Sequence, residues 1–171
     1  MKDISERELE LPDAVIGKLL KIAVEDKKVI SLGPGEPDFL APKPIRDYTK
    51  KIVDKATHYG APQGNIELRE AICKKLKKEN KLKADPENIL VTCGSQEAIF
   101  VSMLTSLDIG EQVIVPNPSY LVYVPALELV SGVPVFLELK EDEDWKIDPD
   151  RLRKLINKKK THGIIINTPS N

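Results

Sequence analysis

Little in these 171 residues points to a disulfide framework, a metal, a membrane or a nucleic acid. Cysteine is nearly absent: Cys73 and Cys93 are the only two, too few for a disulfide framework or a zinc set. Both fall in apolar-periodic segments, where the plain expectation is small buried hydrophobes in a reducing compartment. His58 and His162 are equally isolated, with no spacing partner for a metal. Neither sign of charge is in excess. The 26 basic and 27 acidic residues leave a net charge of −1, without the electrostatic footprint of a nucleic-acid or anionic-membrane binder. No apolar run approaches the roughly 20 residues that span a bilayer. The opening Met1-Lys2-Asp3-Ile4-Ser5-Glu6 is too polar for a secretory signal, so the expected location is cytoplasmic. Nucleotide fingerprints are missing too: neither a Gly-x-Gly-x-x-Gly turn nor a Walker lysine follows the first expected strand.

What is present is a soluble, globular composition, 41% hydrophobic and 31% charged, with length enough for one ordinary domain. From Pro12 to Ala23 the apolar positions Val15, Ile16, Leu19, Leu20, Ile22 and Ala23 predict an amphipathic helix, with Pro12 suited to its first turn. Residues 29–32 read as a short extended piece. It runs into Gly33-Pro34-Gly35-Glu36-Pro37-Asp38-Phe39, a loop that either brings backbone close to something or turns a corner. Helices are expected over 44–55 and 66–80, the second carrying lysines 74, 75, 77 and 78 on a solvated face. Between them lies His58-Tyr59-Gly60-Ala61-Pro62-Gln63-Gly64, a loop with an aromatic near its head.

From residue 88 the pattern alternates. Strands are expected over 88–93, 112–116, 134–137 and 163–167, with helices over 95–107, 120–131 and 148–158 between them. Such alternation predicts right-handed βαβ units and an α/β fold: a mostly parallel sheet with helices on both faces. Ligands of such sheets sit beyond the carboxyl ends of the strands. Those ends carry Gly94-Ser95-Gln96, then Pro116-Asn117-Pro118-Ser119-Tyr120, then Asn167-Thr168-Pro169-Ser170-Asn171. The first is the most informative. Val91-Thr92-Cys93-Gly94-Ser95-Gln96-Glu97-Ala98-Ile99 reads as a strand, a glycine turn and the start of a helix. Free backbone N–H groups there would meet an anion at the positive end of the helix dipole, although plain turn-and-cap use explains the same residues. Taken together, the strand ends offer an anion cradle, an aromatic ring and an amide, a set suited to a flat, phosphorylated, heteroaromatic ligand.

Several loops read in order carry a resemblance. Leu32-Gly33-Pro34-Gly35-Glu36-Pro37-Asp38-Phe39 resembles the glycine loop of class I/II aminotransferases, pyridoxal-phosphate enzymes of fold type I. The stretch Tyr59-Gly60-Ala61-Pro62-Gln63-Gly64-Asn65-Ile66-Glu67-Leu68-Arg69-Glu70-Ala71-Ile72 resembles their tyrosine–proline–glycine–leucine-arginine segment. Gly94-Ser95-Gln96-Glu97-Ala98 is similar to their phosphate loop, and Pro118-Ser119-Tyr120-Leu121-Val122-Tyr123 to the loop with the cofactor-stacking aromatic. Ile165-Ile166-Asn167-Thr168-Pro169-Ser170-Asn171 looks like the start of their asparagine-proline-threonine-glycine motif. The resemblance spans essentially the whole chain.

It implies the following roles. Gly94 and the backbone amides of Ser95 and Gln96, with the Ser95 hydroxyl, would hold the phosphate of pyridoxal 5'-phosphate. Tyr120 would stack on the pyridine ring. Asn171 would donate to the cofactor's phenolic oxygen. Tyr59 would reach the phosphate of a neighbouring subunit, which implies a homodimer with shared active sites. Gly35 would lie against the substrate carboxylate, where a side chain would obstruct it. The implied domain plan is an N-terminal arm and small-domain segment over 1–45, then the first part of the cofactor-binding large domain over 46–171. The implied activity is amino transfer between an α-amino acid and a 2-oxo acid, with those small molecules, and neither nucleic acid nor membrane, as partners. The loop after Tyr59 departs from the pattern, reading Gly-Ala-Pro-Gln where the family often has two prolines.

None of the family's directly catalytic residues is matched. The Schiff-base lysine, the aspartate that pairs with the pyridinium nitrogen and the arginine that clamps the substrate carboxylate are expected downstream of residue 171. Lys158, Lys159 and Lys160 sit in a polar helix end and do not substitute for that lysine. The chain is therefore expected to be part of a longer protein, and inactive in transamination by itself. Two other readings share these motifs: a lyase or synthase on the same fold, and a non-catalytic fold-type-I binding domain attached to a DNA-binding regulator. The absence of a helix-turn-helix or basic stripe in residues 1–30 weighs against the second.

Overall fold

The computed structural model describes residues 15–26, 28–33, 35 and 37–170. The chain divides at 89/90 into two compact units, whose described parts are residues 15–89 and 90–170.

Residues 15–89 hold three α-helices: α1 (Val15–Glu25), α2 (Lys43–Ile52) and α3 (Ile66–Lys75). Pro12, expected in the first turn of the first helix, lies outside the described residues. Helix α2 starts on proline and passes at Val53–Thr57 into a 3-10 turn, so the single helix expected over 44–55 changes type at its end. Helix α3 has the strongest start signal of the unit. The Asn65 side chain accepts from the amides of Glu67 (2.9 Å) and Leu68 (3.3 Å), satisfying two of the donors that a helix start leaves unpaired. Glu67 in its first turn and Lys74 and Lys75 in its last agree with the helix dipole. The helix expected to reach residue 80 instead widens to a π-turn at Leu76–Asn80, and Lys81 ends it in the left-handed region at φ 59°. Lysines 74, 75, 77 and 78 are exposed, as expected. Residues 29–32 form no strand, and Ile30 and Leu32 are exposed.

Residues 90–170 contain the sheet and its apolar core. Strands β1 (Gln112–Asn117), β2 (Val133–Glu138) and β3 (Thr161–Ile164) make a three-stranded parallel sheet in the order β2-β1-β3. Helices α4 (Ser95–Ser106), α5 (Tyr123–Leu129) and α6 (Pro149–Leu155) accompany it. Strand β1 is central and buried along Val113, Ile114, Val115 and Pro116, the continuous apolar run of a strand covered on both faces. Val113 and Val115 point to one side and pack with Met103 of α4 and with Tyr123, Ala126 and Leu127 of α5. Val115 and Leu127 are fully buried, and each contributes about 1.5–3 kcal/mol by leaving water. Ile114, one residue out of phase, is buried on the opposite face. Helix α6 begins on Asp148, whose carboxylate accepts from the amides of Asp150 and Arg151 at 2.7 and 3.3 Å.

Three expectations for this half need correcting. The strand expected over 88–93 is absent: a 3-10 turn occupies Pro86–Asn88, and residues 89–93 have no ladder partner among the described residues. The apolar Ile89-Leu90-Val91 run joins neither outer edge of the sheet, β2 or β3. The helix expected from residue 120 starts at Tyr123, leaving Tyr120 in the preceding loop. The last strand is paired over Thr161–Ile164, earlier than the expected 163–167, with a register irregularity opposite Gln112/Val113.

Candidate cofactor site at the start of helix α4

The turn into α4 is built so that its backbone faces outward. Gly94 is the N-cap, at φ 92° and ψ 173°, a region essentially closed to residues with a Cβ. No side chain caps the helix. The turn is instead fixed from behind. The Thr92 hydroxyl donates to the Gly94 carbonyl at 3.0 Å, the amide of Ala98 donates to the same carbonyl at 3.3 Å, and the Cys93 amide donates to the Glu97 carboxylate. This leaves the amides of Ser95, Gln96 and Glu97, which by helix geometry have no intrahelical acceptor, without a side-chain acceptor. Together with the dipole's positive end they form an anion cradle. Gly94, Ser95 and Gln96 are exposed, and space is open where a Cβ on Gly94 would sit.

Tyr120 lies beside this cradle. The Gln96 side-chain amide donates to the Tyr120 hydroxyl at 3.1 Å, linking the first turn of α4 to the loop after β1. Tyr120 is half-buried and packs against the apolar core. The ring of Tyr123 meets it edge-on, with centroids 5.6 Å apart and planes at 87°, a favoured aromatic arrangement. Two contacts thus restrain the Tyr120 ring. Asn117, at the end of β1, is engaged elsewhere: its side-chain amide donates to both carboxylate oxygens of Glu138, its neighbour on β2, at 2.9 and 3.0 Å.

Of the expected site residues, Gly94, Ser95, Gln96 and Tyr120 come together in residues 90–170. Tyr59 and Gly35 belong to the 15–89 unit. Tyr59 is fully exposed, and nothing approaches within 4 Å of a Cβ placed on Gly35. Asn171 lies outside the described residues. Cys93 departs from the expected burial: it is exposed, because it sits in the turn ahead of α4 and not in a paired strand. No cluster of three or more His, Cys, Asp or Glu suited to a metal occurs among the described residues. A cavity of about 420 Å³ runs along the apolar flank of α4 beside β3, lined by Ile99, Met103, Leu107, Val113, Tyr123 and Ile165 among others. It includes none of the cradle residues.

Sequence reading missed two side chains. One is the Gln96 side-chain amide: nothing in the spacing announces its bond to a residue 24 positions on. The other is Arg69, within the Tyr59–Ile72 stretch. It is 6% exposed and donates to three acceptors. A signal for it existed: a helical side chain covers the turn N-terminal to its own Cα, and for Arg69 that turn is the Gly64-Asn65 start of α3.

Comparisons with known proteins fit this geometry. The model of the family described as aminotransferase class I and II matches residues 27–171. An aspartate aminotransferase of Pyrococcus abyssi is 43% identical over 158 residues, covering 91% of this chain and 40% of its own length. An aromatic-amino-acid aminotransferase of Thermococcus litoralis is 40% identical over a similar stretch, again covering 91% of this chain and 40% of its own length. Among solved structures, the aspartate aminotransferase of Thermus thermophilus with maleate superposes over 100% of this chain and 46% of its own, with TM-score 0.94 at 31% identity. The aromatic aminotransferase of Pyrococcus horikoshii superposes with TM-score 0.80 at 42% identity, covering 91% of this chain and 42% of its own. The chain thus spans about 40% of the length of the curated relatives it matches.

Proposed function

The chain belongs to the aminotransferase class I and II family, with the fold of its fold type I members, and on that premise we propose that the whole protein is a pyridoxal-phosphate-dependent aminotransferase. It transfers an amino group between an α-amino acid and a 2-oxo acid. The names of the relatives, aspartate and aromatic-amino-acid aminotransferases, support an acidic or aromatic amino acid as the donor. The observation that carries the reading is the uncapped start of α4 beside Tyr120: Gly94 at φ 92°, no side-chain cap, and Gln96 bonded to the Tyr120 hydroxyl at 3.1 Å.

These residues fit the cofactor on their own chemistry. Amides without side-chain acceptors at a helix N-terminus suit a dianionic phosphate, and a restrained tyrosine beside them offers a face to a flat heteroaromatic ring. When bound, pyridoxal phosphate supplies an electron sink that makes the α-proton of an amino acid removable. The Ser95 and Gln96 amides and the Ser95 hydroxyl bind the phosphate and so anchor the ring. Tyr120 would offer its face to the ring, with Gln96 and Tyr123 holding the tyrosine. Asn171 donates to the phenolic oxygen. Gly35 leaves room for the substrate carboxylate. Tyr59 reaches the phosphate of a partner subunit, so the assembly is a homodimer with shared sites. Residues 1–45 serve as arm and small-domain segment, and 46–171 as the first part of the large domain. No described helix is long and apolar enough to cross a membrane, and we assign the protein to the cytoplasm.

The test uses the full-length protein. Incubation with pyridoxal phosphate should give a visible cofactor absorbance that borohydride fixes covalently to a single lysine. An acidic or aromatic amino acid should then convert to its oxo acid at the expense of a 2-oxo acid. A cofactor-loaded protein that releases ammonia or sulfide and no aminated product would instead be a lyase.

A further inference from the structure

Among the described residues of the 15–89 unit, the one buried side chain is charged: Arg69, 6% exposed. Its guanidinium is spread over two segments. Nε donates to the Gly64 carbonyl at 3.2 Å, and Nη1 donates to the Gln63 side-chain carbonyl at 3.2 Å and to the Pro86 carbonyl at 2.9 Å. Glu87, mostly exposed, lies 3.7 Å from Nη1. A buried charge is expensive to desolvate and is seldom the most stable filling for its space. Its planar fork, which no other side chain reproduces, is the property that these contacts use.

The loop held by that fork has little else to hold it. Residues 58–63 are exposed throughout and Gly64 only half-buried, so the loop has no apolar anchor. Its one internal closure is the turn in which the Gly64 amide donates to the Ala61 carbonyl at 2.8 Å, with Gly64 at φ 100°. Arg69 grips the last two residues of that turn and fastens them to Pro86, 17 positions away. Tyr59 stands two residues ahead of the turn, its side chain free of the protein surface. We propose that Arg69 is a positioning residue: its guanidinium sets the course of the 59–64 loop and thereby aims Tyr59. The inference rests on the phosphate-reaching role proposed above for Tyr59.

Phosphate-specific affinity separates aiming from general support. In the full-length protein, dissociation constants are measured for pyridoxal phosphate and for pyridoxal, which lacks the phosphate, and thermal melting is followed in parallel. Tyr59→Phe should weaken pyridoxal phosphate about tenfold, the loss expected for one hydrogen bond to a charged group, and leave pyridoxal unchanged. Arg69→Met should produce the same phosphate-specific loss, and the double variant should lose no more than either single one. Arg69→Lys keeps the charge without the fork and should show the same loss in a protein that still melts cooperatively, so it carries the test if Arg69→Met does not fold. Additive losses, equal weakening of both ligands, or no loss in the Arg69 variants beside a clear loss in Tyr59→Phe would overturn the role of Arg69 alone. An unaffected Tyr59→Phe would remove the Tyr59 assignment and this inference with it.

Discussion

Helix α3 closes its own first turn, whereas helix α4 leaves its first turn open. Asn65 gives α3 a side chain that accepts from the second and third helical amides, and Asp148 does the same for α6. Gly94 gives α4 nothing of the kind. The turn there is held from behind by Thr92 and Glu97, and the outward amides are left without a side-chain partner. The two arrangements differ in purpose. An Asn or Asp cap stabilises its own helix by about 1 kcal/mol. A glycine cap in a region closed to other residues gives up that stabilisation and keeps the amides available to an external anion. Helices α2 and α5 also start without a side-chain cap; what sets α4 apart is its glycine N-cap at φ 92° together with the Gln96 bond to the Tyr120 hydroxyl.

The contrast can be broken by giving α4 the cap of α3. Gly94→Asn should have the largest effect. Forcing a Cβ into φ 92°, ψ 173° strains the backbone by about 1–3 kcal/mol, which calorimetry would read as a lower melting temperature. Pyridoxal-phosphate affinity should fall roughly a hundredfold as the amides turn inward or misalign; unchanged affinity would mean that the cradle is not the phosphate site. Tyr120→Ala comes next. Removing the stacking face should weaken the cofactor about tenfold, while Tyr120→Phe keeps the face and should stay within about fivefold of wild type, the worth of one neutral hydrogen bond.

Two smaller changes sharpen the contrast. Asn65→Ala should lower stability by about 1 kcal/mol in a denaturant titration with cofactor affinity unmoved, since that cap serves only its own helix. Gln96→Ala removes the bond to Tyr120 and should weaken the cofactor by no more than about fivefold. If Asn65→Ala weakened cofactor binding as much as Gln96→Ala, the division between a structural start and a binding start would collapse.

Much of this was legible from residue order, for identifiable reasons. The helices expected over 66–80 and 148–158 are found as α3 and α6, where Asn65 and Asp148 fix the start within one turn. Strand β1 is visible because Val113-Ile114-Val115 is a short β-branched run, which suits a strand covered on both faces. The turn into α4 is legible because its geometry depends on one glycine and its neighbours. What misled was partner-dependent. Ile89-Leu90-Val91 has the composition of a strand, but a strand also needs a ladder partner, and the run pairs with none of β1, β2 and β3. Cys93 likewise follows that apolar run, whereas the turn holds it outside. Tyr120 shares the apolar periodicity of α5, yet the helix starts only at Tyr123. The Gln96–Tyr120 and Arg69–Pro86 bonds join residues 24 and 17 positions apart, a separation at which local pattern carries no information.

The central claim is that the open start of α4 is where the cofactor's phosphate is held. A crystal structure of the full-length protein with pyridoxal phosphate bound tests it most directly. Phosphate oxygens should lie within about 2.7–3.2 Å of the Ser95 and Gln96 amide nitrogens, with the ring of Tyr120 against the pyridine. A phosphate held elsewhere, with the first turn of α4 facing only water, would contradict it.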